Sequence, residues 1–231
     1  MDPKKLFIDE RLKANCAYCG AVMNSRDHTP SKVFLDEPYP ENLPVAEACA
    51  KCNGGFSADE EYLSCLIECV VHGTAKPDER FRDKVARTLE ARPAIAKRIE
   101  SGKQLDISNN PIWQPEGPRV KNIVLKLARG YVSYELGLQH VEEPVIIDIV
   151  PSPCMTEDEL EAFNTLEEHA GFLYPEIGSR AFVNLLSGKA TAYGGWYVVQ
   201  EGRYRYALGQ SAGDWVKLVL SEYLACRVVW E

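Results

Sequence analysis

Two runs, Cys16-Ala17-Tyr18-Cys19 and Cys49-Ala50-Lys51-Cys52-Asn53, bracket the segment Arg26-Asp27-His28-Thr29-Pro30. Each C-x2-C pair can chelate one ion at small loop-closure cost, and two such pairs complete the tetrahedral thiolate set of a structural zinc site. The 29 residues between Cys19 and Cys49 are more than a simple zinc ribbon uses. They must carry another element, and what they carry is an imidazole beside a carboxylate. Thiolate zinc would build the local fold, while His28 and Asp27 could activate water beside a second, harder cation.

The rest of the composition bounds the protein class. At 231 residues with 45% hydrophobic and 26% charged side chains, the chain can bury one sizeable core or two smaller ones. No apolar run approaches the length needed to span a bilayer, and Met1-Asp2-Pro3-Lys4-Lys5 does not read as a signal peptide. These features predict a cytoplasmic location and no membrane partner. Eight cysteines could imply a disulfide scaffold. Two tight pairs without an export signal instead favour metal-bound thiolates in a reducing compartment.

Charge is the feature least suited to a polyanion partner. The formal net charge is −8 and the isoelectric point is near 5.2. It is unevenly spread, because residues 76–130 hold 13 basic against 7 acidic groups while both flanks are acidic. If nucleic acid binds, Arg87, Lys97, Arg98, Lys121, Lys126 and Arg129 are the expected phosphate contacts, with Arg80, Arg82, Lys84 and Arg92 alongside. The competing reading is a solvated face on two amphipathic helices.

Hydrophobic spacing places the motifs on elements. Ala21 to Met23 and Val33 to Leu35 are expected as short hairpin strands around the Asp27-His28 turn, with Asn42 in a proline-marked loop. A helix is expected from about Ala58 to His72, with Ser57 and Glu60 at capping-box spacing, a stripe of Leu63, Leu66, Ile67, Val70 and Val71, and Gly73 as the stop. Helical patterns follow from Pro77 to Ser101, broken near Pro93, and from Pro118 to Tyr134, with a loop over 102–117. Beyond these, Val145 to Val150 reads as a strand, Thr156 and Glu159 open a helix, Ala181 to Leu186 reads as helical, and Thr191 to Ala207 as a hairpin about Glu201-Gly202. Val216 to Trp230 fits either a strand or a helix.

Taken together, Cys16 and Cys19, Asp27-His28 with Pro30, Asn42, and Cys49 and Cys52 followed by Asn53 resemble the four-cysteine subgroup of the HNH endonuclease family over residues 14–62. The resemblance implies an α+β protein with an N-terminal zinc-stapled ββα-metal module, residues 1–75, followed by an accessory domain, residues 76–231, of mixed helix and sheet. It also implies that His28 is the general base, that Asp27 and Asn53 hold a catalytic Mg2+ or Mn2+, and that Asn42 braces the loop orienting His28. The residue types suit those roles: imidazole titrates near pH 6.5, and carboxylate and amide oxygens suit a hard ion. Asn53 stands where most of the family carries histidine, and Gly54-Gly55 follows where many members continue with a lysine.

The expected activity is phosphodiester hydrolysis of nucleic acid, DNA ahead of RNA. The rival expectation is a zinc-stabilised module that binds nucleic acid or protein without cutting. The acidic C-terminal part could serve a protein partner or a second copy of the chain. Cys65, Cys69 and His72 share a helix face but offer no fourth ligand, so core packing is expected of them, as it is of Cys154 and Cys226. His140 and His169 are expected at the surface, and Trp196, Tyr197, Tyr204 and Tyr206 on a sheet face.

Overall fold

The computed structural model describes residues 15–40, 43–105, 111–166, 195–211 and 213–231. Its elements mix helix and strand and divide into two compact units. The first comprises Met1–Gly55 with Val124–Glu231 and the second Phe56–Ile123. The boundary expected near residue 75 therefore falls inside the second unit. A chain cut by sequence order misses this because the first unit is assembled from both ends of the chain.

In the first unit, Cys16 and Cys19 lie on a tight turn. The Gly20 amide donates to the Cys16 carbonyl at 2.9 Å, and Gly20 adopts φ +73, a conformation open to glycine and strained for other residues. Strand β1, Ser25–His28, pairs antiparallel with β2, Val45–Ala48, with Ser25 opposite Ala48 and His28 opposite Val45. Helix α1, Ala50–His72, starts two residues later.

The motif itself is thus a strand, not a turn between strands. Of the segments expected as strands, Val22 makes only an isolated bridge to Asn15, and Lys32–Phe34 is a 3-10 turn. Prolines at 30, 38, 40 and 44 deny the intervening loop a regular ladder. Helix α1 begins eight residues before the expected start. Asn24 Oδ1 accepts from the Ala50 amide at 2.7 Å, satisfying a donor that a helix start leaves open. The stop at Gly73, φ +70, is as expected.

A five-stranded antiparallel sheet completes the first unit. In the order β5-β9-β8-β7-β6, it consists of β5, Ile146–Pro151; β9, Leu224–Val229; β8, Trp215–Leu220; β7, Tyr204–Gly209; and β6, Tyr197–Gln200. The segment Val216 to Trp230 resolves into most of a hairpin, β8 and β9, whose turn carries Ser221 and Glu222 at positive φ. One face buries Trp196, Ala207, Trp215, Val219 and Val229, joined by Ile146, Phe163 and Leu166. The other carries Tyr206, whose ring stacks at 3.8 Å on Tyr131. Tyr131 ends helix α4, Gly117–Tyr131. Helix α5, Glu157–Asn164, opens on a capping box between Thr156 and Glu159. Cys226 is buried on the sheet, whereas Cys154 is exposed, contrary to expectation. Cys154 lies in a short 3-10 turn after β5, outside the alternation that buries a strand residue.

The second unit holds the remainder of α1, α2 (Asp83–Ala91), α3 (Pro93–Ser101) and a ribbon of β3 (Lys103–Leu105) with β4 (Pro111–Trp113) in place of the expected loop. Pro93 opens α3 because its missing N–H costs nothing at a helix start. Tyr62 to Cys69 are all buried, including Cys65 and Cys69, while Val71 is 51% exposed. Glu68 is accommodated there by the Arg82 guanidinium at 2.8 Å. Ala181 to Leu186 and His169 lie outside the described residues. Among those described, no helix is long and apolar enough to cross a membrane.

Candidate metal centre and active site

The cysteine quartet assembles from a turn before β1, from Cys49 just ahead of α1 and from Cys52 in the first turn of that helix. The ligand atoms of Cys16, Cys19, Cys49 and Cys52 all lie within 4.8 Å of one another, and Cys19 Sγ is 3.8 Å from Cys49 Sγ. Four sulfurs held about 2.3 Å from a tetrahedral zinc sit about 3.8 Å apart, so the spacing fits that ion. The Cys52 amide, 3.4 Å from Cys49 Sγ, lowers the Cys49 thiol to about 7, while burial pushes Cys16 and Cys52 up. The buried pair on α1 differs in kind: burial holds Cys65 and Cys69 up at about 12, as for inert core thiols. Among the described residues, the quartet is the one group of three or more His, Cys, Asp or Glu side chains placed to hold a metal.

Close to it, the first turns of α1 reach back to β1. Asn53 Nδ2 donates to Ser25 Oγ at 2.7 Å and to the Arg26 carbonyl at 3.0 Å. A carbonyl only accepts, so the amide nitrogen must face β1, which leaves Asn53 Oδ1 turned away from it. Strand alternation puts Ser25 and Asp27 on one face of the ribbon and Arg26 and His28 on the other. The contacts agree, since Asn53 meets Ser25 while Arg26 lies 3.5 Å from the buried Glu47 on β2. Half-buried His28 ends the strand where the chain turns into Thr29 and Pro30.

Asp27 is almost buried, at 9% exposure, and its Oδ2 is already engaged. The Tyr18 hydroxyl donates to it at 3.1 Å and Lys126 Nζ, on α4, lies 2.8 Å away. Lys126 also donates to Ser31 Oγ at 2.6 Å. Asp27 Oδ1 and Asn53 Oδ1 take part in none of these bonds. A carboxylate oxygen and an amide oxygen are the donor types that a hard divalent ion prefers.

Compared with family models, curated proteins and solved structures, the chain has no match. The candidate site therefore rests on its own geometry.

The sequence-predicted residues separate into three groups. The four cysteines come together; Asp27 and His28 are neighbours on opposite faces of β1, and Asn53 is bonded to Ser25 and Arg26 of the same strand; Asn42 lies outside the described residues. Of the expected phosphate contacts, Arg87 on α2, Lys97 on α3 and Lys121 on α4 are exposed, and exposed Arg98 pairs with Glu116 at 3.0 Å. Two do not fit the solvent-facing role. The Lys126 side chain is fully buried against Asp27, and Arg129 is turned to the Val141 and Glu142 carbonyls at 2.9 and 2.8 Å.

The physical reason is that Ile123 through Ala128 are all buried, so this part of α4 has no solvated face. A lone lysine in the apolar run Ile123-Val124-Leu125-Lys126-Leu127-Ala128 was the available signal, because a buried ammonium needs a carboxylate. Tyr18, Ser31 and Glu47 carried no such signal. His140 also departs from expectation: its ring stacks on Trp230 at 4.8 Å, with Asp214 at 2.6 Å and Glu142 at 2.5 Å from its nitrogens.

Proposed function

We propose that the chain is a zinc-stapled endonuclease of the HNH type, hydrolysing phosphodiester bonds of nucleic acid, DNA ahead of RNA. The observation that carries this reading is the Asn53 amide bonded to Ser25 and Arg26. It ties the start of α1, which carries Cys52, to the strand bearing Asp27 and His28, and the chain order β1, β2, α1 is the order expected of such a module. His28 takes the proton from a water that attacks phosphorus in line, the P–O3′ bond breaks, and the products carry 5′ phosphate and 3′ hydroxyl. A Mg2+ or Mn2+ ion held by Asp27 and Asn53 would supply charge stabilisation at the phosphoryl group. The quartet and the buried ribbon hold these residues in place without taking part in proton transfer. Exposed Arg87, Lys97 and Lys121 offer phosphate contacts that carry no sequence information.

The second reading, a zinc module that binds without cutting, is favoured by two features. Lys126 already supplies Asp27 with a counter-charge, and strand alternation sets Asp27 and His28 on opposite faces of β1. Purified protein incubated with supercoiled plasmid, single-stranded DNA and RNA, with Mg2+ or Mn2+, beside His28→Ala, separates the two. Nicking that needs His28 supports the enzyme. Binding without cutting, or equal cutting by His28→Ala, supports the module.

A further inference from the structure

The segment carrying His28 is gripped on both sides by one helix. Before it, Lys126 Nζ lies 2.8 Å from Asp27 Oδ2; after it, the same ammonium donates to Ser31 Oγ at 2.6 Å. One turn further along α4, Gly130 faces buried Thr29 so closely that a Cβ would overlap its side chain. The Tyr18 ring, 6.0 Å from Nζ, and its hydroxyl on Asp27 complete the enclosure. We infer that Lys126 is a positioning residue of the candidate site: its ammonium is the resident counter-charge of Asp27 Oδ2, leaves only Oδ1 to a divalent cation, and fixes the chain on both sides of His28.

This rests on Asp27 and Asn53 as the divalent site. A divalent ion at Oδ1 shares its carboxylate with a buried positive charge, and like charges at such range in a dry surround repel strongly. The protein alone should therefore bind divalent cations weakly, with substrate phosphate oxygens needed to complete the site. Removing the ammonium reverses the balance: Asp27 loses its partner, and the divalent ion becomes the best replacement.

The test uses the zinc-loaded full chain with Mn2+ as probe, read by Mn2+ paramagnetic resonance and thermal melting. Lys126→Met should melt lower than wild type in the absence of Mn2+, bind Mn2+ on the order of tenfold tighter or more, and regain melting temperature as Mn2+ is added. Wild type and Lys126→Arg should respond little. The double variant Asp27→Asn with Lys126→Met should fold and lose the Mn2+ response, because neither charge remains. If Lys126→Met folds only when Asp27 is also neutralised, the counter-charge role stands. Equal Mn2+ responses in wild type and Lys126→Met, or a Lys126→Met protein rescued by neither Mn2+ nor Asp27→Asn, would overturn the inference. These readouts do not depend on cleavage, so an inactive wild type would count against the nuclease reading alone.

Discussion

At the residue scale, His28 and Gly130 make opposite demands on one loop. As the base, His28 contributes through its proton acceptor, so His28→Ala should lower the cleavage rate by about 10²–10⁴-fold while binding in a mobility-shift assay stays nearly unchanged. Gly130 contributes through absence of a side chain. Alanine would improve helix propensity by up to about 1 kcal/mol, but its Cβ overlaps the Oγ1 of Thr29, which is fully buried. Overpacking of that kind costs about 1–3 kcal/mol, so the clash should win. Gly130→Ala should lower the denaturation midpoint, and a midpoint equal to or above wild type would show that Thr29 can yield. Neither Thr29 nor the buried partner of Lys126 was legible in the sequence, since both depend on a helix about a hundred residues further along the chain.

At the scale of elements, the cysteine quartet is placed to staple the turn before the small β1–β2 ribbon to the start of α1. Each ribbon strand has only four residues, and two short strands are marginal by themselves. Thiolate zinc can contribute on the order of 10 kcal/mol to such a module. Mild EDTA should therefore stop divalent-dependent cleavage and leave the circular dichroism spectrum intact. Elemental analysis of washed protein should give close to one zinc per chain. Cys49→Ser should express poorly or unfold, because the remaining thiolates cannot close the tetrahedron; a metal-free protein with the native spectrum would remove the structural role. The spacing made this site readable. It did not reveal that Cys52 already lies in α1, whose start is anchored by Asn24 and by the Cys52 amide on Cys49 Sγ.

For the whole molecule, net acidity need not forbid a nucleic-acid partner, because the basic excess is local. Much of it is already engaged within the second unit: Arg80 pairs with Asp78, Arg82 with Glu68, Arg92 with Glu61, and Arg119 with Asp59 and Glu116. Among the described residues, Arg87 and Lys97 make no such ion pair, and Arg87 donates to the Asp83 carbonyl of its own helix. Reversing both to Glu should weaken binding and reduce the slope of log K against log salt by about 2, roughly 0.9 for each phosphate no longer neutralised. The weakening should be alike for unrelated target sequences. An unchanged slope would return α2 and α3 to the role of a solvated face.

Local chemistry was what the amino-acid order determined unaided. Thiol spacing gave a four-cysteine cluster, proline and glycine gave the end of α1 and the start of α3, and alternation about Glu201-Gly202 gave the β6–β7 hairpin, because each depends on neighbours a few residues away. Tertiary structure decided the strand that carries Asp27 and His28, the hairpin at the C-terminal end, and the division that joins residues 1–55 to 124–231. It also turned Lys126 and Arg129 from expected surface cations into partners of buried Asp27 and of loop carbonyls. The reason is desolvation: an apolar run can hint that Lys126 is buried, but which carboxylate or carbonyl a charge meets depends on the distant segments that pack around it.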